Sequence, residues 1–464
     1  MLTKRQFLIA GSTLATLSCA PAQKKSLHAD VIILGAGLAG LNAARLLASE
    51  GAKVLVLEGS NRIGGRMYTL DDVPGRPEAG GQQVGSTYAR ILSTADDLGL
   101  NIVPPAPGGS RDKTLAINGD LLNASDWAAS PHNTFPDALK RFTPDSALFV
   151  AASQKNPLED EYAWRELAAQ SDLSAKSFLE QSGFDEQSLK QIDIALNANS
   201  LDTYSMLNVW RSLVIFSQSF QGGSSNEIEG GAQRLPEAMA KSLDDGTIKT
   251  NTMVQGIDVD LNGVDVHTNQ GTIRGSFVIS TLPFPVMKKV KINAPLHEAT
   301  REGINSLPYT QIQQVHLTVE NEFWKNDGLP TTMWTDTPIE RVFPVRNANG
   351  ETVSLTCWIN GTGTKPNVSD QEWKDLAEKT MLDLRGAKTT ASKVIRWDKN
   401  QPLSGGAYMH WSPNQAAKIA ENMATPAGRL HFAGEHTSHL HTGMEGAMES
   451  GDRAAFEVMD LMSS

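Results

Sequence analysis

Cysteine is nearly missing: Cys19 and Cys357 are the only two in 464 residues. That excludes a disulfide scaffold and a four-cysteine zinc site. No apolar run approaches the roughly 20 residues needed to cross a bilayer, so the chain is not a polytopic membrane protein. Positive charge is also in deficit, with 41 Lys and Arg against 52 Asp and Glu and a formal charge of −11. A nucleic-acid binder normally carries a basic face, so that class is disfavoured. Internal repeats and low-complexity segments are absent too. What remains is 40% hydrophobic and 20% charged residues. The length suits roughly two or three domains of a soluble, enzyme-sized protein.

Met1 to Ala22 reads as an address label rather than as part of the fold. A charged start (Lys4-Arg5) precedes a modest apolar run from Phe7 to Ala20, and Ala20-Pro21-Ala22 offers small residues to a signal peptidase. The pattern resembles a twin-arginine export signal, with Lys4 in place of the first arginine. It predicts export of a folded protein, to a bacterial periplasm. Anchoring through a lipid on Cys19 is the weaker alternative, because Thr16 stands where an aliphatic residue is expected.

The first strong chemical signal begins at Asp30. The run Asp30-Val31-Ile32-Ile33-Leu34 predicts a strand buried on both faces, Gly35-Ala36-Gly37-Leu38-Ala39-Gly40 a tight turn opening a helix from Ala39 to Glu50, and Lys53 to Leu57 a second strand. Gly35 permits the turn, Gly37 lets a pyrophosphate approach the backbone, and Gly40 lets helix and strand pack closely. Phosphates are expected at the helix N-terminus, where free N–H groups and the macrodipole favour anions. Glu58, at the end of the second strand, is placed to bind both hydroxyls of an adenosine ribose and to repel a 2′-phosphate.

Glu58-Gly59-Ser60-Asn61-Arg62-Ile63-Gly64-Gly65-Arg66 follows at once, and four further blocks lie in order along the chain. They are Glu78-Ala79-Gly80-Gly81-Gln82-Gln83-Val84-Gly85, Gly230-Gly231-Ala232-Gln233-Arg234-Leu235, Gly405-Gly406-Ala407-Tyr408, and Phe432-Ala433-Gly434-Glu435-His436-Thr437 through Gly443-Met444-Glu445-Gly446-Ala447 to Ser450-Gly451. With these blocks the sequence resembles the flavin amine oxidase family, which includes monoamine, polyamine and L-amino-acid oxidases.

The resemblance implies an α/β fold: a Rossmann-like FAD-binding domain plus a mixed-sheet and helix substrate domain. The expected division gives 28–100, 222–295 and 395–464 to FAD and 101–221 and 296–394 to substrate. Within the second lobe, helices are expected from Glu159, over Ser174–Gln181, over Glu186–Asn197 and over Asp370–Arg385. Hairpins are expected at Asn262-Gly263 and Asn349-Gly350.

The resemblance also assigns the cofactor site. Glu58 is expected on the ribose, Gly65 and Arg66 near the phosphates, and the backbone of Gly81 and Gln82 facing the isoalloxazine. Val254 is expected at the adenine, Gly434 and Glu435 at the ribityl or pyrophosphate part, and the Met444 amide at the flavin N1/O2 edge. A last helix from Gly446 would point its N-terminus at N1. Ala407 stands where monoamine oxidases attach flavin through cysteine, so FAD is expected to be non-covalent.

By the same resemblance a small amine gives a hydride to flavin N5, and the imine hydrolyses. Tyr408 matches one wall of an aromatic cage that orients amines. The opposite wall falls on Gly443 and is expected to be open. Gln83 falls where some L-amino-acid oxidases hold the substrate carboxylate with arginine, and a glutamine lacks that charged fork. An amine is therefore favoured over an α-amino acid, with L-amino-acid oxidase or an FAD-bearing electron-transfer or maturation partner as alternatives.

Gln314, in a strand that alternates from Gln314 to Val319, occupies the place of a family lysine that assists reaction with oxygen. Its neutrality predicts an electron carrier in preference to O2 as acceptor. His441, with His436 and His439, is expected at the substrate entrance and not on a metal, since zinc-like spacing is lacking. Cys357 is expected to be core filler, and Glu445 a structural salt-bridge partner. Oligomeric state is left open, a homodimer being one option.

Overall fold

The computed structural model describes residues 28–463 except 109–111, 171, 195, 220–224 and 366. The segment expected to be an export signal, Met1–Ala22, and with it Cys19, lies outside the described residues. Among the described residues, no helix is long and apolar enough to cross a membrane.

Two large sheets organise the chain. The first has the order Lys291–Asn293, Val254–Asp260, Gly263–Thr268, Gly271–Ser280, His28–Leu34, Val54–Leu57 and Ile248–Lys249, and Leu430–Phe432 also pairs with Gly271–Ser280. Its centre is parallel: Ile33 lies opposite Val56 on one side and Ile279 on the other. Val31, Ile32, Ile33 and Leu34 are all fully buried, as a strand covered on both faces requires. The helices Leu38–Ser49 and Gly443–Met462 pack together over one face.

The second sheet has the order Thr389–Arg396, Ile312–Val319, Thr352–Asn360, Arg341–Arg346, Met333–Thr335, Thr114–Ile117 and Asp120–Asn123. Its two faces differ. Val315, Leu317, Leu355 and Cys357 pack under the helix Asp370–Arg385 against Trp373, Ala377 and Met381. Cys357 is fully buried there, and burial pushes its thiol up to about 12. The other face carries Ile312 and Ile395, which meet Leu70, Val73, Ala79 and Trp397 from the first lobe.

Both expected hairpins form, between Val254–Asp260 and Gly263–Thr268 and between Arg341–Arg346 and Thr352–Asn360. The helix over Asp370–Arg385 forms with those bounds. A reciprocal capping box, Ser369 with Glu372, starts it, and left-handed Gly386 ends it. Ser369→Ala is expected to lower stability by about 1 kcal/mol in urea unfolding. An unchanged midpoint would show that the cap contributes nothing.

Three helical expectations shift. No helix begins at Glu159: Asp160 accepts the N–H groups of Tyr162 and Ala163, and that turn delays the helix to Trp164–Gln170. The helix expected to reach Asn197 spans Glu186–Ile194. The final helix starts at Gly443, three residues before Gly446, so its first turn already includes Met444.

Candidate functional site

Where the two lobes meet lies a cavity of 980 Å³. Gly35, Gly37, Glu58, Arg66, Val254 and Glu435 line one stretch of it, and Gly81, Ile312, Trp358, Trp397, Tyr408 and Met444 another. The sequence motifs, hundreds of residues apart, thus converge on one elongated space.

The nucleotide turn is held by its own acid. Glu58 Oε2 accepts the Ala36 N–H at 2.9 Å, while Oε1 accepts the Ser60 N–H and Oγ–H, each at 2.8 Å. One carboxylate therefore ties the first turn to the segment after the second strand. Gly40 lies behind the turn, against Gly35 and Ile33, and does not line the cavity.

Arg66 joins three motifs. Its Nη1 donates to Glu435 Oε1 at 2.8 Å and to the Ala407 carbonyl at 3.0 Å. Burial works against the guanidinium charge, yet Glu435 outweighs it and holds Arg66 above its ordinary value. The Glu435 carboxylate also accepts the Met409 N–H at 3.3 Å. Gly434 and Gly65 complete this part of the lining.

Two other acids do structural work. Glu78 accepts the Ala232 N–H at 2.7 Å and the Thr69 hydroxyl at 3.0 Å, linking two glycine-rich blocks, and burial pushes its carboxyl up to about 7. Glu445 accepts the N–H groups of Arg90 and Ile91 and pairs with the Arg90 guanidinium, so it caps the helix Ala89–Asp97.

At the far end, the Tyr408 hydroxyl donates to the Asn197 carbonyl at 3.1 Å, which fixes the ring against the cavity. Burial raises its phenol, so the ring stays neutral. Gly443, also lining the cavity, has φ +58°, and a Cβ built there would meet no atom within 4 Å. That side is open. Gln314 is fully buried, and neither amide atom has a hydrogen-bond partner. It lies opposite Trp358 and Ile395 in the sheet, hence on the cavity-facing side.

Gln83, Gln82 and His441, like Ala36, Gly40 and Gln314, are not among the residues that line the cavity. Gln83 is exposed, because Val84 pairs with Asn226 through two backbone hydrogen bonds that turn the chain away after Gly81. Gln82 is exposed as well, its amide donating to Glu227 at 2.7 Å. The His441 ring packs edge-on to Tyr88 at 4.9 Å. Glu449 holds that loop by accepting the N–H groups of His439, Leu440 and His441. Burial pushes the Glu449 carboxyl up, but these hydrogen bonds win and hold it below its ordinary value. His436 is buried against Phe284 at 4.3 Å.

Sequence reasoning missed Trp358, Trp397, Ile312 and Asn197. For Trp358 the signal existed: a strand that buries Cys357 and Ile359 on one face must show its intervening residue to the other.

Glu340 lies near this wall. Its carboxyl accepts the Asn360 N–H at 2.9 Å and the Asn360 amide at 3.1 Å, but burial dominates and pushes it up to about 8. The folded chain thus keeps a proton that the unfolded chain releases near its ordinary value of 4.5. Stability should fall as pH rises through that window, by up to ~1.4 kcal/mol per pH unit. Glu340→Gln is expected to flatten that fall in urea unfolding; an unchanged profile would show that Glu340 ionises normally.

A family description for flavin-containing amine oxidoreductases matches residues 38–459. L-amino-acid oxidase of Siganus canaliculatus is 27% identical to this chain, over 92% of this chain and 85% of its own length. Amine oxidase B of Homo sapiens is 25% identical, over 93% and 86%. Cyclohexylamine oxidase from Brevibacterium oxydans IH-35A matches with a TM-score of 0.74 at 21% identity, covering 94% of this chain and all of that one. Putrescine oxidase bound to putrescine matches with a TM-score of 0.72 at 21% identity, over 94% and 99%. These two structures establish the two-domain α/β fold. With the convergent motifs and a match over most of its length, the chain belongs to the family of flavin-containing amine oxidoreductases.

Proposed function

We propose that the protein binds FAD non-covalently and oxidises a primary or secondary amine to an imine, which water converts to a carbonyl compound and ammonia or a smaller amine. The observation that carries this reading is a single elongated cavity. It joins the Glu58 nucleotide turn to a neutral, fixed tyrosine ring.

The residues fit a dinucleotide. Gly37, at the helix N-terminus, leaves a cradle in which a Cβ would meet only Gly65 Cα at 4.0 Å. Glu58 lines the same cavity beside Val254. A cysteine attachment has no counterpart at Ala407, which also lines it. A bound flavin supplies the two-electron acceptor for a C–H bond next to the amine nitrogen.

The chain supplies position and exclusion. Tyr408 presents a ring face to the amine, with its hydroxyl committed to Asn197. Ile312, Trp358 and Trp397 wall the space with apolar surface that excludes water. The hydride leaves the carbon bearing the amine, and a proton leaves the nitrogen. Because Gln314 is uncharged and buried, the same reading favours an electron carrier over O2.

The test is product analysis with an amine panel. Each substrate consumed should give one carbonyl product and one equivalent of ammonia or amine. Tyr408→Ala should retain flavin and slow turnover about 10–100-fold. Turnover without a carbonyl product would sink the reading. Export through Met1–Ala22 belongs to the same proposal, and cell fractionation checks it: a cytosolic full-length protein contradicts export.

A further inference from the structure

Register places a row of side chains on the cavity face of the second sheet. Ile395 lies opposite Gln314, Gln314 opposite Trp358, and Trp358 opposite Arg341. Directly opposed residues in antiparallel strands point to the same side. Trp358 lines the cavity, so Arg341 rises on the same side. Its guanidinium carbon lies 5.9 Å from the Trp358 ring centre and 5.8 Å from that of Phe343. Its Nη2 donates to Asn197 Oδ1 at 2.6 Å, and the backbone carbonyl of that same Asn197 receives the Tyr408 hydroxyl.

Arg341 is under-answered for a buried cation. It is 8% exposed, and its Nε has no hydrogen-bond partner. No carboxylate pairs with it within 4.0 Å among the described residues. Nearby Asp145 is engaged by Lys113 and Thr143. Glu340 is occupied by Asn360, and with Asp145 it acts on Arg341 only through space, too weakly to offset the cost of its burial. Arg385 grips both oxygens of Asp327 at 2.8 Å and Arg66 pairs with Glu435, while Arg211, also without a carboxylate, donates instead to the carbonyls of His439 and His441. A desolvated guanidinium without its anion is costly, and its planar fork matches a carboxylate.

We propose that Arg341 receives a carboxylate of the substrate, so that the amine oxidised here belongs to an amino acid whose acid group lies on the sheet wall and whose amine meets Tyr408. The inference rests on the amine-oxidising reading and names its substrate class. It moves the acid-binding role from the exposed position of Gln83 to the opposite lobe.

The experiment uses the flavin-loaded protein and two probes that cannot be oxidised at nitrogen, 3-phenylpropionate and 3-phenylpropan-1-ol, followed by calorimetry. The wild type should bind the acid at least about tenfold more tightly than the alcohol. Arg341→Met should abolish that preference with an unchanged flavin spectrum, and Arg341→Lys should keep only part of it. Equal binding of both probes by the wild type overturns the proposal, as does a folded Arg341→Met that keeps the preference. If Arg341→Met does not fold, the wild type and Arg341→Lys decide.

Anaerobic bleaching by α-amino acids, by ω-amino acids and by their decarboxylated amines then locates the acid. One acid series should exceed its amines by about tenfold or more in kcat/KM. Equal bleaching by the decarboxylated amines defeats the Arg341 role and leaves amine oxidation standing. An acid preference in binding without bleaching by any amine defeats the functional reading and leaves the anion site standing.

Discussion

Gly37→Ala is expected to leave the apoprotein within about 1 kcal/mol of wild-type stability while weakening flavin binding by at least about 100-fold. Gly37 has φ −84° and ψ −177°, an extended conformation open to any residue. A methyl there would meet only Gly65 Cα, at 4.0 Å. It would instead fill the space at the N-terminus of Leu38–Ser49, where the helix offers free N–H groups to phosphate. Gly40→Ala is the contrasting case. Its Cβ would stand 2.1 Å from the Gly35 carbonyl oxygen and 3.2 Å from Ile33 Cγ2. Backbone cannot yield cheaply, so about 3 kcal/mol or more of folding stability is at risk. Thermal unfolding of apoprotein and the flavin-to-protein absorbance ratio separate the two effects. A Gly37→Ala protein that retains flavin normally would show that the phosphates lie elsewhere.

The second large effect concerns the electron acceptor. Reduced wild-type protein is expected to react slowly with oxygen, and Gln314→Lys to accelerate that reaction by about 10²-fold. The amide lies fully buried on the cavity-facing side of Ile312–Val319, without partners for Oε1 or Nε2. An ammonium there would stabilise negative charge developing on oxygen. The same burial penalises the charge, so Gln314→Lys should lose thermal stability and titrate below the ordinary lysine range. Gln314→Met supplies the neutral control and should remain slow. Stopped-flow mixing of photoreduced protein with oxygenated buffer measures all three. Rapid reoxidation of the wild type would remove the case for an electron carrier.

The parts of this molecule that were legible in sequence share one property: the chemistry sits in consecutive residues. The Gly35–Gly40 turn, its two strands, Glu58 and the Asn349-Gly350 hairpin are local features with steric or hydrogen-bonding causes, and they form near the expected bounds. The alternation around Cys357 likewise fixed which face was buried. Which residues of different strands stand side by side was not legible. Nothing in Arg341, Trp358 or Gln314 taken singly indicates that they stand side by side; the pairing of three strands does.

Gln83 shows the opposite failure. The resemblance places it where some L-amino-acid oxidases hold the substrate carboxylate, but the long-range pairing of Val84 with Asn226 turns it to solvent. His441 was judged from its neighbours in sequence, whereas Glu449 and Tyr88 decide where that loop lies. In each case a tertiary contact overrode the expectation.

The most direct measurement of the central claim is anaerobic mixing of the flavin-loaded protein with amines and amino acids, following the flavin absorption band. The cavity from Glu58 to Tyr408 predicts rapid, saturable bleaching by at least one of them, slowed by Tyr408→Ala. A flavin that no amine or amino acid bleaches, but that a second protein reduces, would contradict amine oxidation and make the chain an electron-transfer partner instead.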